Sequence, residues 1–296
     1  MAARCPRIDG HVHIWGLEGY PEAQPSPPEL VGTAEALRSK LAASGLQGAL
    51  IVQPINFKFD HAPVAAALAD NAAAGAAAPQ LRGMALADPS MDPASAVAAM
   101  DALAGQGFVG VRFNPGLEPG WMVGPTGRAL YTRCAELAWP VGIMCFSGLL
   151  QSSADIEALL AASPDTPLII DHWGFFRQPP GPNGTNDEAA WSKLLSWAAH
   201  PAVHVKVSAD FRVSAGPQPM GGASVHTDLI PRAKELLGAF GAARLIWGSD
   251  FPWVEGQEGG HEAAVSAAEA LWKEAGADEA QRADIFGGAA ARLFKF

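Results

Sequence analysis

Two imidazoles lie one residue apart near the start of the chain, in Arg7-Ile8-Asp9-Gly10-His11-Val12-His13. Side chains alternate along an extended strand, so His11 and His13 share a face. The same alternation puts Asp9 with them and leaves Ile8, Val12 and Ile14 on the other face. Far away in sequence the chain offers Arg112 and Asn114, His172, Lys206 and Ser208, and Asp250, each at the end of a short apolar run. Gln53 and Asp88 end two further runs. Imidazoles beside a carboxylate support two kinds of chemistry. They can move protons and hold a developing oxyanion, or they can bind a divalent ion. An arginine among them suits an anionic substrate, because the guanidinium fork matches a carboxylate.

The runs that carry these residues are Arg7–His13, Gly48–Gln53, Leu81–Ala87, Phe108–Asn114, Val141–Cys145, Leu168–His172, Val203–Ser208 and Leu245–Ser249. Between them lie segments with apolar residues three and four apart, the helical spacing. Leu37 and Leu41 mark one. Val97, Met100, Leu103 and Ala104 mark another, after Pro93. Leu130, Cys134 and Leu137 follow, then Ile156, Leu159 and Leu160, then Trp191, Leu194, Leu195 and Ala198. Leu229, Ala233, Leu236, Leu237 and Phe240 form the next, then Val265, Ala268, Leu271 and Trp272, with a short helix from Asp278 onward. Eight strand–helix units predict an α/β fold, a single closed (β/α)8 TIM barrel over residues 1–296. A doubly wound open sheet would gather its polar residues at one switch point. Here they stand at the C-terminal ends of many strands, where barrels build their sites.

Period two sharpens the set. Val109, Val111 and Phe113 are expected on one face, with Arg112 and Asn114 on the other. Val203, Val205 and Val207 likewise leave His204, Lys206 and Ser208 together. Gly248 shares a face with Asp250, a small residue expected to leave room for a ligand. Lys206 either touches substrate or neutralises Asp9 or Asp250. Arg212, in Asp210-Phe211-Arg212, has a binding and a surface reading. His200, His204 and His261 are read as structural or surface residues, and His226 as a cap or an exposed side chain. Asn56, Phe57, Lys58 and His61 are candidates for the pocket wall. The Pro- and Gly-rich stretches Pro21–Pro28, Gln178–Asn186 and Ala215–Gly222 are expected as loops over the barrel mouth.

Composition agrees with a folded globular chain. Of 296 residues 49% are hydrophobic, enough for a large core, and 17% are charged with no long block, which argues against disorder. The net charge of −10 argues against non-specific nucleic-acid binding. A local arginine can still receive an acidic small molecule. Cys5, Cys134 and Cys145 form no CxxC pair and fit free thiols in a reducing compartment. With no leading apolar segment and no run of about 18 apolar residues, a cytoplasmic protein without a membrane span is expected. The expected partner is a small-molecule substrate, and the oligomeric state is left open.

Several motifs do not carry function. Gly105-Gln106-Gly107-Phe108-Val109-Gly110 fits GxGxxG but leads into a strand, where a dinucleotide fingerprint opens a helix. His261-Glu262 lacks the second histidine of HExxH, and there is no GxSxG for a serine nucleophile.

Five segments together resemble the amidohydrolase-related family. They are His11-Val12-His13, Gly110-Val111-Arg112-Phe113-Asn114, Asp171-His172-Trp173-Gly174, Lys206-Val207-Ser208 and Trp247-Gly248-Ser249-Asp250-Phe251-Pro252. Within the family they are similar to the lactonase branch, which includes 2-pyrone-4,6-dicarboxylate lactonase and sugar lactonases. The resemblance implies a distorted barrel and hydrolytic chemistry. In metal-dependent members it implies one divalent ion, zinc foremost, on His11, His13 and Asp250, with a further histidine on strand five. Strand five here reads Val141-Gly142-Ile143-Met144-Cys145-Phe146. Its inward residue is either Met144, a poor zinc ligand, or, after a one-residue slip, Cys145, a good one. In the metal-free branch the resemblance makes Asp250 the base that activates water, with His11, His13 and His172 on the carbonyl. Arg112, Arg212, Asn114 and Lys206 then bind substrate. Two hydrolytic readings stay open: a metal-free lactonase of a small anionic cyclic ester, and a single-metal hydrolase or decarboxylase. A non-catalytic small-molecule binder is the third.

Overall fold

The computed structural model describes residues 5–15, 30–75, 78–220 and 222–296. Pro21–Pro28, expected as a loop over the mouth, therefore lies outside the described residues. Eight parallel strands follow one another around a barrel: β1 (Ile8–Val12), β2 (Gly48–Val52), β3 (Gln80–Leu86), β4 (Phe108–Phe113), β5 (Val141–Ile143), β6 (Leu168–Ile170), β7 (Val203–Ser208) and β8 (Leu245–Gly248). Each neighbours the next in sequence order. Past the end of β8 the chain closes on β1, where the Asp250 amide donates to His11 O at 2.9 Å and the His13 amide to Phe251 O at 2.6 Å. The sheet has no switch point, so the open-sheet alternative falls.

Helices cover the outside: α1 (Ala34–Ala43), α2 (Ala62–Ala73), α3 (Pro93–Ala104), α4 (Pro125–Leu137), α5 (Ser153–Ala162), α6 (Glu188–Ser196), α7 (Ile230–Phe240) and α8 (Gly260–Glu274). Their starts are chemically marked. Thr33 accepts from the Ala36 amide, Asp92 from Ala94 and Ser95, and Asp187 from Ala190, each satisfying helix amides that have no intrahelical partner. A further short helix, α9 (Glu279–Ala283), opens with an Asp278–Gln281 capping box, and a wide turn leads to α10 (Ala289–Phe294).

Two apolar clusters divide the core. The larger lies between strands and helices and takes Val12, Ile51, Val111, Phe113, Ile143, Val205 and Val207 among others. The smaller fills the barrel floor with Ile8, Leu50, Val52, Met84, Ile169 and Ile246, stoppered by Ala289, Ala290 and Phe294 of α10. That second cluster corrects the sequence reading of β1. Ile8 faces inward and Asp9 outward, reversed from strict alternation. The β1–β2 register shifts between Asp9 and Val12, and this irregularity flips the parity so that His11 and His13 still face in. A like shift between β3 and β4 sends Val109 to the inner cluster, away from Val111 and Phe113. The stretches Arg177–Asn186 and Gln218–Val225 are not plain loops: each folds as a small antiparallel ribbon.

Candidate active site

Asp9 holds the β1 irregularity in place. Its Oδ1 accepts from the His11 and Ser249 amides at 3.2 and 2.9 Å. Its Oδ2 lies 3.1 Å from Nε2 of His261, whose Nδ1 is 3.0 Å from Ser44 Oγ. His261 is thus structural, as expected, but it braces the bend that carries the two site histidines. Gly248 serves the same bend. A side chain there would begin 2.7 Å from both the Cβ and the backbone nitrogen of His11, so the glycine makes room for His11 and not for a ligand.

Inside the barrel the strand ends converge. The His11 ring centre is 5.0 Å from that of His13 and 4.4 Å from that of His172. Asp250 Oδ1 is 3.3 Å from His13 Nε2 and 3.9 Å from His11 Nε2, while Oδ2 accepts from Arg212 Nε at 2.7 Å. His13 is anchored through Nδ1 to Val52 O at 2.8 Å, and His172 through Nδ1 to Ser208 Oγ at 2.9 Å. Asp250 (φ 64°), His172 (φ 51°) and Ala209 (φ 55°) all adopt left-handed backbone conformations, as do Trp173 and Phe175. Non-glycine residues persist there only where the surroundings over-determine them, and such strain clusters at functional sites.

Beneath the rings lies a buried charge cluster. Arg112 Nε donates to Asp171 Oδ2 at 2.8 Å. Lys206 Nζ is 3.1 Å from His11 Nδ1, 3.6 Å from Asp171 Oδ1 and 5.8 Å from the centre of the Phe294 ring. Lys206 is fully buried, and its ion-pair partner is Asp171; Asp9 adds a smaller favourable charge, and the expected pairing with Asp250 is replaced by Arg212. Burial lowers the Lys206 ammonium to about 8, with Asp171 opposing that shift. Burial alone would raise the Asp171 carboxyl, yet Lys206 and Arg112 hold it low. Burial likewise opposes ionisation of Asp250, but Arg212 and His13 keep it well below the carboxylate range. Burial pulls His172 down to about 3 and, with the Lys206 charge, takes His11 well below its ordinary value. Both rings are neutral at pH 7.

A cavity of about 490 Å³ opens above this floor. His13, Arg112, His172, Arg212 and Asp250 line its polar end; Trp15, Leu117, Met144 and Trp253 line its apolar wall. Asn114 and Asn56 also line it. Lys206 does not, and His61 instead accepts from the Leu86 amide at 3.0 Å. Three buried atoms near this floor have no hydrogen-bond partner among the protein atoms: His11 Nε2, Arg112 Nη2 and Asp171 Oδ1. Arg212, for which a surface reading was open, faces Asp250. His226 caps nothing; it is half-buried with an unpartnered Nδ1.

One partner, Asp171, was not singled out as a site residue from sequence, and for a second, Ser208, the face was read but not the contact. Asp171 precedes His172, so alternation would send the two to opposite faces. The strand ends at Ile170 and His172 is left-handed, which brings both inside. Ser208 was seen on the inner face, but its pairing with His172 depends on two strands meeting.

The residues that metal-dependent relatives would use are compact. Ligand atoms of His11, His13 and Asp250 lie within 4.8 Å of one another. Their surroundings do not fit a divalent ion. His11 is backed by an ammonium, and strand five offers Met144 to the cavity. The Cys145 thiol is buried, does not line the cavity, and is pushed by desolvation up to about 12. The carboxylates nearest the rings are already committed to fixed cations, Asp171 to Arg112 and Lys206 and Asp250 to Arg212.

Comparison with known proteins agrees with this architecture. One solved structure, a probable 2-pyrone-4,6-dicarboxylic acid hydrolase from Acinetobacter baumannii with citric acid bound, superposes with a TM-score of 0.76 at 21% identity, covering 99% of this chain and 100% of that one. A stretch of 104 residues is 38% identical to L-fucono-1,5-lactonase of Burkholderia ambifaria, covering 33% of this chain and 31% of that protein. Another, of 149 residues, is 29% identical to 4-sulfomuconolactone hydrolase of Rhizobium radiobacter, covering 50% and 45%. The chain thus matches less than half the length of either curated relative. The amidohydrolase family model matches residues 8–296, so the chain belongs to the amidohydrolase family.

Proposed function

We propose that this barrel hydrolyses a small anionic lactone without a bound metal. The observation that carries the reading is Asp250 with His11 and His13 beside it, at a cavity that Asp250, His13 and Arg112 line, the last with a buried and unpartnered Nη2. Both partial relatives are named for lactone hydrolysis, which supports the reaction class.

In this reading a water between Asp250 and the lactone attacks the carbonyl carbon and passes a proton to Asp250 Oδ1. The carbonyl π bond becomes an oxyanion, met by N–H groups of His11 and His172. A donor aimed at such an oxyanion contributes roughly 2.7–4 kcal/mol. The intermediate collapses with cleavage of the ring C–O bond, and Asp250 returns the proton to the ring oxygen, giving the open-chain hydroxy acid. The strongly depressed Asp250 makes a weak base but a ready acid, so it serves the second half better than the first. An activated ester tolerates that. Arg112 Nη2 binds the substrate's anionic group, and Asn114 adds a polar wall.

A second reading, a single-metal hydrolase or decarboxylase, rests on the compactness of His11, His13 and Asp250. The deciding experiment is a panel of carboxylated, dicarboxylated and neutral lactones run on the parent and on Asp250→Asn. Turnover that falls about 10²–10⁴-fold in the variant supports the reading. A parent that opens no lactone, or a variant with full activity, overturns it.

A further inference from the structure

We propose that Lys206 fixes His11 as a hydrogen-bond donor to the site and, by the same contact, closes the site to a divalent cation. The oxyanion half of this statement rests on the lactonase reading; the tautomer and the metal exclusion stand without it.

An ammonium has protons to give and no lone pair to receive one. Lys206 Nζ lies 3.1 Å from His11 Nδ1, so that nitrogen accepts, and the single proton of the neutral ring sits on Nε2. Nε2 is also the buried atom of His11 that no protein group satisfies, and it is the one on the Asp250 side of the ring, 3.9 Å from Oδ1. An N–H there is an unused donor at the reaction centre. A metal-binding histidine is arranged the other way: its far nitrogen donates to a carbonyl or carboxylate, leaving the near lone pair for the ion. His13 is held on its far side by a carbonyl, with Nδ1 on Val52 O, while its Nε2 lies 3.3 Å from Asp250 Oδ1. The two histidines of one motif are therefore fixed through Nδ1 by opposite partners, an acceptor for His13 and the Lys206 ammonium for His11.

Among the described residues an acceptor also stands beside His11 Nδ1: Asp171 Oδ1, at 3.8 Å, ion-paired with Lys206 Nζ at 3.6 Å but without a hydrogen bond. That distance is too long for a hydrogen bond while Lys206 stands between them. Without the ammonium the ring is free to turn its Nδ1 proton toward Asp171 and expose Nε2 as a ligand. Lys206 touches neither substrate nor the reacting atoms and acts as a positioning residue.

The test uses the full chain labelled with ¹⁵N-histidine, with the His11 signals identified by their loss in His11→Asn. The parent is expected to show the Nε2–H form of His11 at pH 7 and to retain no zinc after dialysis. Lys206→Met is expected to shift His11 toward the Nδ1–H form and to bind zinc at least about tenfold more tightly, the scale on which outer partners tune metal sites. Lys206→Gln keeps a donor without the charge and is expected to keep the parent tautomer. On any lactone the parent opens, Lys206→Met should lose kcat with little change in KM, and Lys206→Gln should recover part of it. An Nδ1–H His11 in the parent, or a parent that holds stoichiometric zinc through dialysis, overturns the proposal. Should Lys206→Met not fold, the parent spectrum and parent zinc titration decide alone. If no lactone is opened but His11 carries its proton on Nε2, the lactonase reading falls and the role of Lys206 stands.

Discussion

Arg212 donates from Nε to Asp250 Oδ2 at 2.7 Å, while its guanidinium lies 5.1 and 5.3 Å from the ring centres of Phe211 and Trp253. The aromatic pair holds the cation where it lowers the pKa of Asp250, the base of the proposed reaction. A charge-assisted contact of this length favours the ionised carboxylate strongly. Removing Arg212 therefore makes Asp250 a better base and a poorer leaving-group acid. In Arg212→Met the acid limb of the kcat/KM profile should move to higher pH, toward the ordinary carboxylate value of 3.8. A pH series on the parent and the variant reads this directly; an unmoved limb would mean that Asp250 is not the titrating group.

His172 and His11 are buried and neutral, His172 at about 3 and His11 well below its ordinary value. In the unfolded chain each regains a pKa near 6.5 and binds a proton that the native site refuses. Stability is thus full above about pH 6.5 and falls as the pH drops from there toward 3, by about 1.4 kcal/mol per unit for each such ring. Depressed carboxylates such as Asp250 add their own loss only at lower pH, below 3.8. Urea midpoints between pH 7 and 4 should fall in the parent, and more gently in His172→Asn. Equal slopes would show that His172 is protonated in the native state.

Arg112 spends Nε on Asp171 and leaves Nη2 without a partner beside the cavity. A hydrogen bond to a charged group contributes about 1.5–3 kcal/mol. Arg112→Met should therefore raise KM for a carboxylated lactone by roughly 10- to 100-fold. The matched methyl ester should lose far less, and that comparison separates anion reading from general damage to the Asp171 pair. Equal losses on both would assign Arg112 a purely structural task.

The strands were legible because burial on both faces gives short runs of Val, Ile and Leu, and the helices because Leu and Ala recur at three and four. β7 kept strict alternation, so Lys206 and Ser208 were placed correctly from Val203, Val205 and Val207 alone. β1 and β4 did not, since a register shift is a two-strand property that neither strand carries in its own pattern. Long side chains were the other blind point. Alternation assigns Lys206 a face but not a reach, and whether its ammonium meets Asp9, Asp171 or Asp250 depends on how strands six, seven and eight sit around the floor. The partner of His261 lay beyond the sequence argument that read it as structural or surface, because it reaches Asp9 from a covering helix.

Gly248 offers the sharpest check on how tightly the site is held. A methyl group there would start 2.7 Å from the His11 Cβ and backbone nitrogen, well inside van der Waals contact. Neither neighbour is the free end of a flexible chain. β1 has to shift, against the hold of Asp9 on the His11 and Ser249 amides. Overpacking of this kind costs typically 1–3 kcal/mol, which a barrel of this size survives. The chemistry should not survive it equally, since a displacement of about 1 Å at a reacting group can lose on the order of 10²-fold in rate. Gly248→Ala is expected to fold, with a lowered melting temperature and unchanged far-ultraviolet dichroism, and to lose kcat by at least tenfold with KM little altered. A variant with parent kcat would show that the position of His11 relative to Asp250 does not control the reaction.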